Sequence, residues 1–267
     1  MADYGLPALF TLLLWWSSTG LIIYLDGLRR ETFRWTMLGA TTLLLAGLAG
    51  LHVLAWDQSV TAAWLGFVCG VLCWAWIEVA FLTGLVTGPR RTACPPAARG
   101  WHRLTAAIAA ILWHELAIVA MAGVILALTW DAPNQIGTWT FMAFWAMRQS
   151  AKLNVYLGVR NLSEAFLPEH LRYLESFFAR RRMNLLFPVS MAAGSAALYL
   201  LLQAAMTPEA TRHESVGFTL LASLVALGVL EHIFMVLPVS ADGLWRWGLA
   251  SRATAQEPAP SQPSSAA

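Results

Sequence analysis

Between residues 6 and 237 the sequence repeats one pattern seven times: a run of about 20 mostly apolar residues, then a shorter segment that holds the charges. A helix of that length crosses the hydrocarbon core of a bilayer at about 1.5 Å per residue, so each run is a candidate span. The runs are 6–24, 35–55, 60–86, 104–130, 136–157, 185–206 and 216–237. Composition points the same way, with 58% hydrophobic residues, only 12% charged against a usual ~25%, and a mean hydropathy of +0.59. The fold class this predicts is an all-α integral membrane protein, a bundle of about seven transmembrane helices that leaves no sizeable soluble domain.

The charges between the runs set the orientation. Segments 26–34, 87–103, 158–184 and 238–267 hold fourteen of the seventeen Lys and Arg, and only Arg212 falls in the alternate segments. Those alternate segments carry Asp3, Asp57, Asp131, Glu209 and Glu214 instead. The positive-inside rule therefore predicts a periplasmic N-terminus and a cytoplasmic C-terminus. Several function classes drop out. A net charge of +2 is too small to argue for nucleic acid, and three cysteines give no disulfide framework. The first residues lack the basic stretch of a signal peptide, so the first run is expected to be a retained helix. No P-loop, dinucleotide turn or nucleophile elbow is present, and the single lysine, Lys152, is in the wrong span for a retinal Schiff base.

In the long segment after the fifth run, Leu171, Leu174, Phe177 and Phe178 recur at helical spacing behind Pro168. This predicts an amphipathic helix over about 168–182 on the cytoplasmic membrane surface, with Glu169, His170, Arg172, Arg180, Arg181 and Arg182 as a docking face for a partner or for anionic headgroups. Residues 1–250 are read as the membrane domain and 251–267, rich in Ala, Pro, Ser and Gln, as a disordered tail.

Ionisable groups inside the runs are the strongest functional signal, since a central Asp, Lys or Arg costs at least about 2.5 kcal/mol. Glu78, His114 with Glu115, and Glu231 with His232 fall at one depth when each run is counted from its end, slightly to the cytoplasmic side of the midplane. Arg148 reaches nearly that depth, and Lys152 follows it on the same helical face. Four readings compete for these seven residues. Glu78, Glu115 and Glu231 can pair with Arg148 and Lys152 and lock the bundle. A catalytic metal such as iron can gather carboxylates and imidazoles, although the Glu-x-x-His spacing of di-iron bundles is absent. His114 and His232 can ligate the magnesium of a chlorin, with Ala110 and Gly228 one turn before them to admit the macrocycle. The groups can also relay protons. Cys69 and Cys73, placed among Gly66 and Gly70, read as small-residue helix packing.

Several longer stretches resemble a known family. Trp16-Ser17-Ser18-Thr19-Gly20 with Tyr24-Leu25-Asp26-Gly27, Thr83-Gly84 with Thr87-Gly88-Pro89-Arg90-Arg91, Trp113-His114-Glu115-Leu116, Pro133-Asn134-Gln135-Ile136-Gly137, Leu167-Pro168-Glu169-His170-Leu171, Met183-Asn184 and Leu230-Glu231-His232 are similar to PuhE, photosynthetic complex assembly protein 2 of purple phototrophic bacteria. The resemblance runs from about Leu6 to about Trp247. It implies a protein of the bacterial inner membrane that assists assembly of the photosynthetic reaction centre and antenna subunits, or that handles bacteriochlorophyll or a related tetrapyrrole for them. It carries over no catalytic residue. The rival expectations are a membrane metal-dependent enzyme of tetrapyrrole or carotenoid metabolism and a passive membrane scaffold.

Overall fold

The computed structural model describes residues 3–162, 164–238 and 241–255. Its long helices are α1 (Gly5–Asp26), α2 (Phe33–Leu54), α3 (Val60–Leu82), α4 (Gly100–Leu128), α5 (Ile136–Leu157), α6 (Leu186–Met206) and α7 (Arg212–Val236), and a shorter α8 (Arg246–Ala255) follows. No strand forms among the described residues. Six helices, α1 to α4 with α6 and α7, are long and apolar enough to cross a membrane. Helix α5 is as long at 22 residues, but Arg148, Gln149, Ser150, Lys152 and Asn154 crowd its second half.

Helices α3, α5 and α7 form the centre. Of the most apolar stretch, α3 buries 61% and α7 50%, whereas α6 buries 11% and leaves Val189, Tyr199 and Leu200 bare. Such faces suit hydrocarbon, where packing and not water exclusion decides which surfaces meet. Close approach needs missing side chains. A Cβ on Gly137 would sit 2.6 Å from the Gly66 carbonyl oxygen, and one on Gly70 2.5 Å from that of Gly137, so α3 and α5 touch backbone to backbone. Cys69 and Cys73 turn the other way, toward Gly47 and Gly50 of α2. Neither is in a disulfide.

The helix starts are capped by side chains written in the sequence. Ser59 Oγ accepts from Ala62 N at 3.1 Å at α3, and Thr211 with Glu214 makes a capping box at α7. Asn184 Oδ1 accepts from Leu186 N and Phe187 N at 2.8 and 3.1 Å, while its amide donates to the Asn154 and Gly158 carbonyls. One buried amide thus starts α6 and ties it to the end of α5.

Two expectations change at the basic end of the bundle. The surface helix is a 3-10 segment, Glu169–Phe177, and stops short of 182. A 3-10 helix eclipses side chains three apart, so Leu171, Leu174 and Phe177 share one face. All three are buried against Phe81 of α3 and Ala110 of α4, so this face packs on protein. Arg103 holds the segment down: its guanidinium donates to the Phe177 carbonyl at 2.7 Å and lies 4.2 Å from the Tyr156 ring centre. The boundary at 250 also falls inside a helix, because α8 continues to Ala255 and packs on α1. Residues 256–267 of the expected tail lie outside the described residues.

Candidate functional site: a polar layer inside the bundle

The ionisable residues of the spans sit on four helices. An Arg148 amine of α5 pairs with Glu78 Oε2 of α3 at 3.0 Å. Lys152, one turn further along α5, pairs with Glu115 Oε1 of α4. Gln149 Nε2 donates to the other Glu115 oxygen at 2.7 Å, so that carboxylate is held at both oxygens by one helix. Three consecutive polar positions of α5 face three neighbours, because Ser150 turns to α7 and meets His232 Nε2 at 2.8 Å. His232 Nδ1 lies 2.8 Å from the Gly228 carbonyl oxygen, which can only accept. In the neutral ring Nδ1 therefore carries the proton, and Ser150 donates to Nε2.

Glu231 is not part of this set of ion pairs. It lies at the outer surface of the bundle and accepts from Trp15 Nε1 of α1 at 2.7 Å. Neighbouring residues on a helix point about 100° apart, and both sequence pairs obey this. Glu231 faces α1 while His232 faces α5; Glu115 faces α5 while His114 turns toward α3. His114 is 1% exposed and its ring centre is 4.4 Å from that of Phe81. Its Nδ1 is buried with no hydrogen-bond partner, as are Glu78 Oε1 and the indole nitrogen of Trp145. Its backbone N–H donates to the Thr87 carbonyl at 2.9 Å, so the chain after α3 folds back along α4.

Depth in the sequence brings Glu78, Glu115, Arg148 and Lys152 together, and it does not bring in Glu231. Gln149 and Ser150 complete the layer, while Trp15 holds Glu231 outside it. The signal for Gln149 and Ser150 is their place between Arg148 and Lys152, where every polar residue of an otherwise apolar helix needs a partner. Among the described residues no three His, Cys, Asp or Glu side chains gather as a metal-binding group.

The surface set divides. Glu169 and Arg172 are exposed, Arg180 pairs with Glu164, and Arg181 packs over Gly158, whose φ of +120° leaves no room for a side chain. Arg182 is exposed, and His170 turns inward against Gly84 and the Phe33 ring. A further ion pair with a buried carboxylate, Asp26 with Arg252 at 2.8 Å, joins the end of α1 to α8. The same guanidinium donates to the Ala165, Phe166 and Leu167 carbonyls. Trp245 Nε1 donates to the Trp16 carbonyl and Trp16 Nε1 to that of Leu244, both at 2.9 Å. The Trp16 to Gly20 stretch is therefore the seat of α8, where Gly248 packs on the Gly20 backbone.

Similarity to known proteins extends over the whole chain. A family described as "Protein of unknown function (DUF3623)" matches residues 1–256. A protein of Rhodobacter capsulatus named "Uncharacterized 30.4 kDa protein in puhA 5'region" is 38% identical over 268 residues, which cover 97% of each chain. No solved structure matches.

Proposed function

The chain belongs to the DUF3623 family, and from that premise we propose that it is an assembly factor for the bacterial photosynthetic reaction centre and its light-harvesting antenna. The observation that carries this reading is the end-to-end similarity to the Rhodobacter capsulatus protein whose name places it in the puhA 5' region. The PuhE-like motifs support it, because they lie where segments dock on one another: Trp16 to Gly20 beneath α8, Thr83-Gly84 beside His170, and Asn184 on Asn154. In this reading all seven helices α1 to α7 cross the inner membrane, with the N-terminus periplasmic and the basic end cytoplasmic. Helix α5 crosses as the least apolar span because its charges are met by Glu78 and Glu115.

Bacteriochlorophyll handling is assigned to His114 and His232. His114 Nδ1 has no competing hydrogen bond, and ligation there requires the Phe81 ring to swing aside. His232 would have to give up the Ser150 hydroxyl. The Lys152–Glu115 pair ties α4, which carries His114, to α5, and Ser150 ties α5 to the His232 ring of α7.

A deletion strain of a phototrophic bacterium tests the function. It is expected to keep mature bacteriochlorophyll while assembled reaction-centre complex falls several-fold; accumulation of one defined pigment precursor would point to an enzyme instead. For the pigment role, protein purified in mild detergent from pigment-making cells should show near-infrared absorption that a His114→Leu His232→Leu variant loses. A colourless wild-type protein leaves the scaffold reading in its place.

A further inference from the structure

A cavity of about 270 Å³ at the basic end is built from segments far apart in sequence. Its walls come from the turn before α2, the chain after α3 and the 3-10 segment, which bring Arg30, Thr87, Arg91, His170 and Tyr173 to one space. Thr87 is 1% exposed. Its hydroxyl, the Tyr173 hydroxyl and His170 Nε2 are all buried and make no hydrogen bond of normal geometry. The Thr87 and Tyr173 hydroxyls face each other and the His170 ring lies beside the Leu82 backbone without closing a hydrogen bond of normal geometry, and a buried polar atom left in that state costs up to about 1–3 kcal/mol unless something occupies the space. Arg30 and Arg91 have no ion-pair partner among the described residues, and no Asp or Glu lines the cavity.

We propose that this cavity binds a phosphate group. Two guanidiniums supply charge, and two hydroxyls with an imidazole nitrogen supply donors from other directions, which suits an anion with several oxygens. The volume lies below the about 300–1,000 Å³ of sites for drug-sized ligands, so it excludes a tetrapyrrole and admits a headgroup. Gly84, with φ of +78°, keeps the wall open: a Cβ there would lie 3.0 Å from the His170 ring. The cavity sits where α3 ends and α2 begins, at the level of lipid headgroups. The phosphate can thus belong to an anionic lipid or be free in solution. The site stands whether or not the chain assists photosynthetic assembly.

The full-length protein, delipidated in a neutral detergent, is titrated at constant ionic strength with inorganic phosphate, with phosphatidylglycerol, or with diacylglycerol, which has the chains and no phosphate. The melting midpoint is read against concentration. Phosphatidylglycerol is expected to raise it and diacylglycerol to leave it unchanged. A rise with phosphatidylglycerol alone identifies a lipid headgroup, and a rise that inorganic phosphate reproduces identifies a site for the phosphate group itself. The half-saturating concentration should increase about tenfold or more in Arg91→Gln and in Tyr173→Phe, the loss of one charge-assisted hydrogen bond. Arg91 is exposed and Tyr173→Phe removes a single oxygen, so both variants should fold. Arg99→Gln, an exposed charge of the same segment that does not line the cavity, should titrate like the wild type. No rise with either phosphate probe, an equal rise with diacylglycerol, unchanged titration in both cavity variants, or weakening by Arg99→Gln would each overturn the proposal.

Discussion

The polar layer and the basic end solve the same problem in opposite ways. Inside the bundle, Glu78, Glu115, Arg148 and Lys152 meet through side chains on neighbouring helices, pair by pair. At the basic end, a single guanidinium, that of Arg252, gathers Asp26 and three backbone carbonyls from a segment that is not an α-helix. Charges within a span need partners at their own depth, because no water reaches them. Charges at a span's end can collect whatever backbone the loops bring, so one residue can organise several segments. The layer should therefore fail as a whole and the end should fail locally.

The largest effect is expected from Glu115→Ala. It leaves Lys152 with no carboxylate and Gln149 with no acceptor, and stranding a buried charge costs about 3–5 kcal/mol. Membrane accumulation of the variant should drop severely. Glu115→Leu combined with Lys152→Met should recover most of it, because removing both partners leaves no stranded charge. Failure of the double variant to recover would mean that the pair does more than balance charge.

Next in size is Gly137→Ala. The new Cβ would press on the Gly66 carbonyl at 2.6 Å, so α3 and α5 must separate just where they carry Glu78 and Arg148 further along. Overpacking of this kind costs about 1–3 kcal/mol, read as a lower melting midpoint. Gly123→Ala in α4, with nothing within 4 Å of its Cβ, should be neutral or slightly stabilising.

How far the sequence foretells these two regions follows from the same difference. Seven apolar runs with charges between them announce α1 to α7 to within a few residues, except that Val86 lies beyond the end of α3 and the first turns of α4 and α7 precede their apolar runs. Depth can be counted along a run, so the amino-acid sequence places Glu78, Glu115, Arg148 and Lys152 in one layer, while which carboxylate meets which cation is seen only in the folded bundle. Rotation cannot be counted, and Glu231, at the right depth, faces Trp15 instead. At the basic end no such ruler exists. The three-residue rhythm of Leu171, Leu174 and Phe177 is visible in the sequence, but over so short a run it fits either helix type, and the segment that docks on Phe81 and Ala110 takes the 3-10 form. Helix α8 is hidden for a related reason: its support is Trp16, Gly20 and Asp26, more than two hundred residues away.

Arg252→Gln sharpens the contrast at smaller cost. It should free α8 from α1 while α1 to α7 stay assembled. Amide exchange in Arg246–Ala255 is expected to speed up about tenfold, the worth of one charge-assisted hydrogen bond, with α3 and α7 unchanged. Faster exchange throughout α3 would show that the end is coupled to the layer after all.

The smallest effect concerns pH. Burial holds the His170 imidazole below its ordinary pKa of about 6.5, and the charges of Arg30, Arg252 and Arg91 add to this while the Leu82 backbone opposes it. The unfolded chain therefore binds this proton more readily than the folded one. The neutral ring's contribution to stability is present above about pH 6.5 and is lost as pH falls from there toward the lower folded value. A phosphate in the cavity would put negative charge beside His170 and raise the folded pKa, which shrinks that loss. The melting midpoint should thus fall modestly between about pH 7 and pH 5, less so with phosphatidylglycerol present, and His170→Gln should remove the part of the slope that the lipid changes. An identical slope in the variant would show that groups other than His170 set the acid sensitivity, and the basic end would then differ from the polar layer in geometry but not through this imidazole.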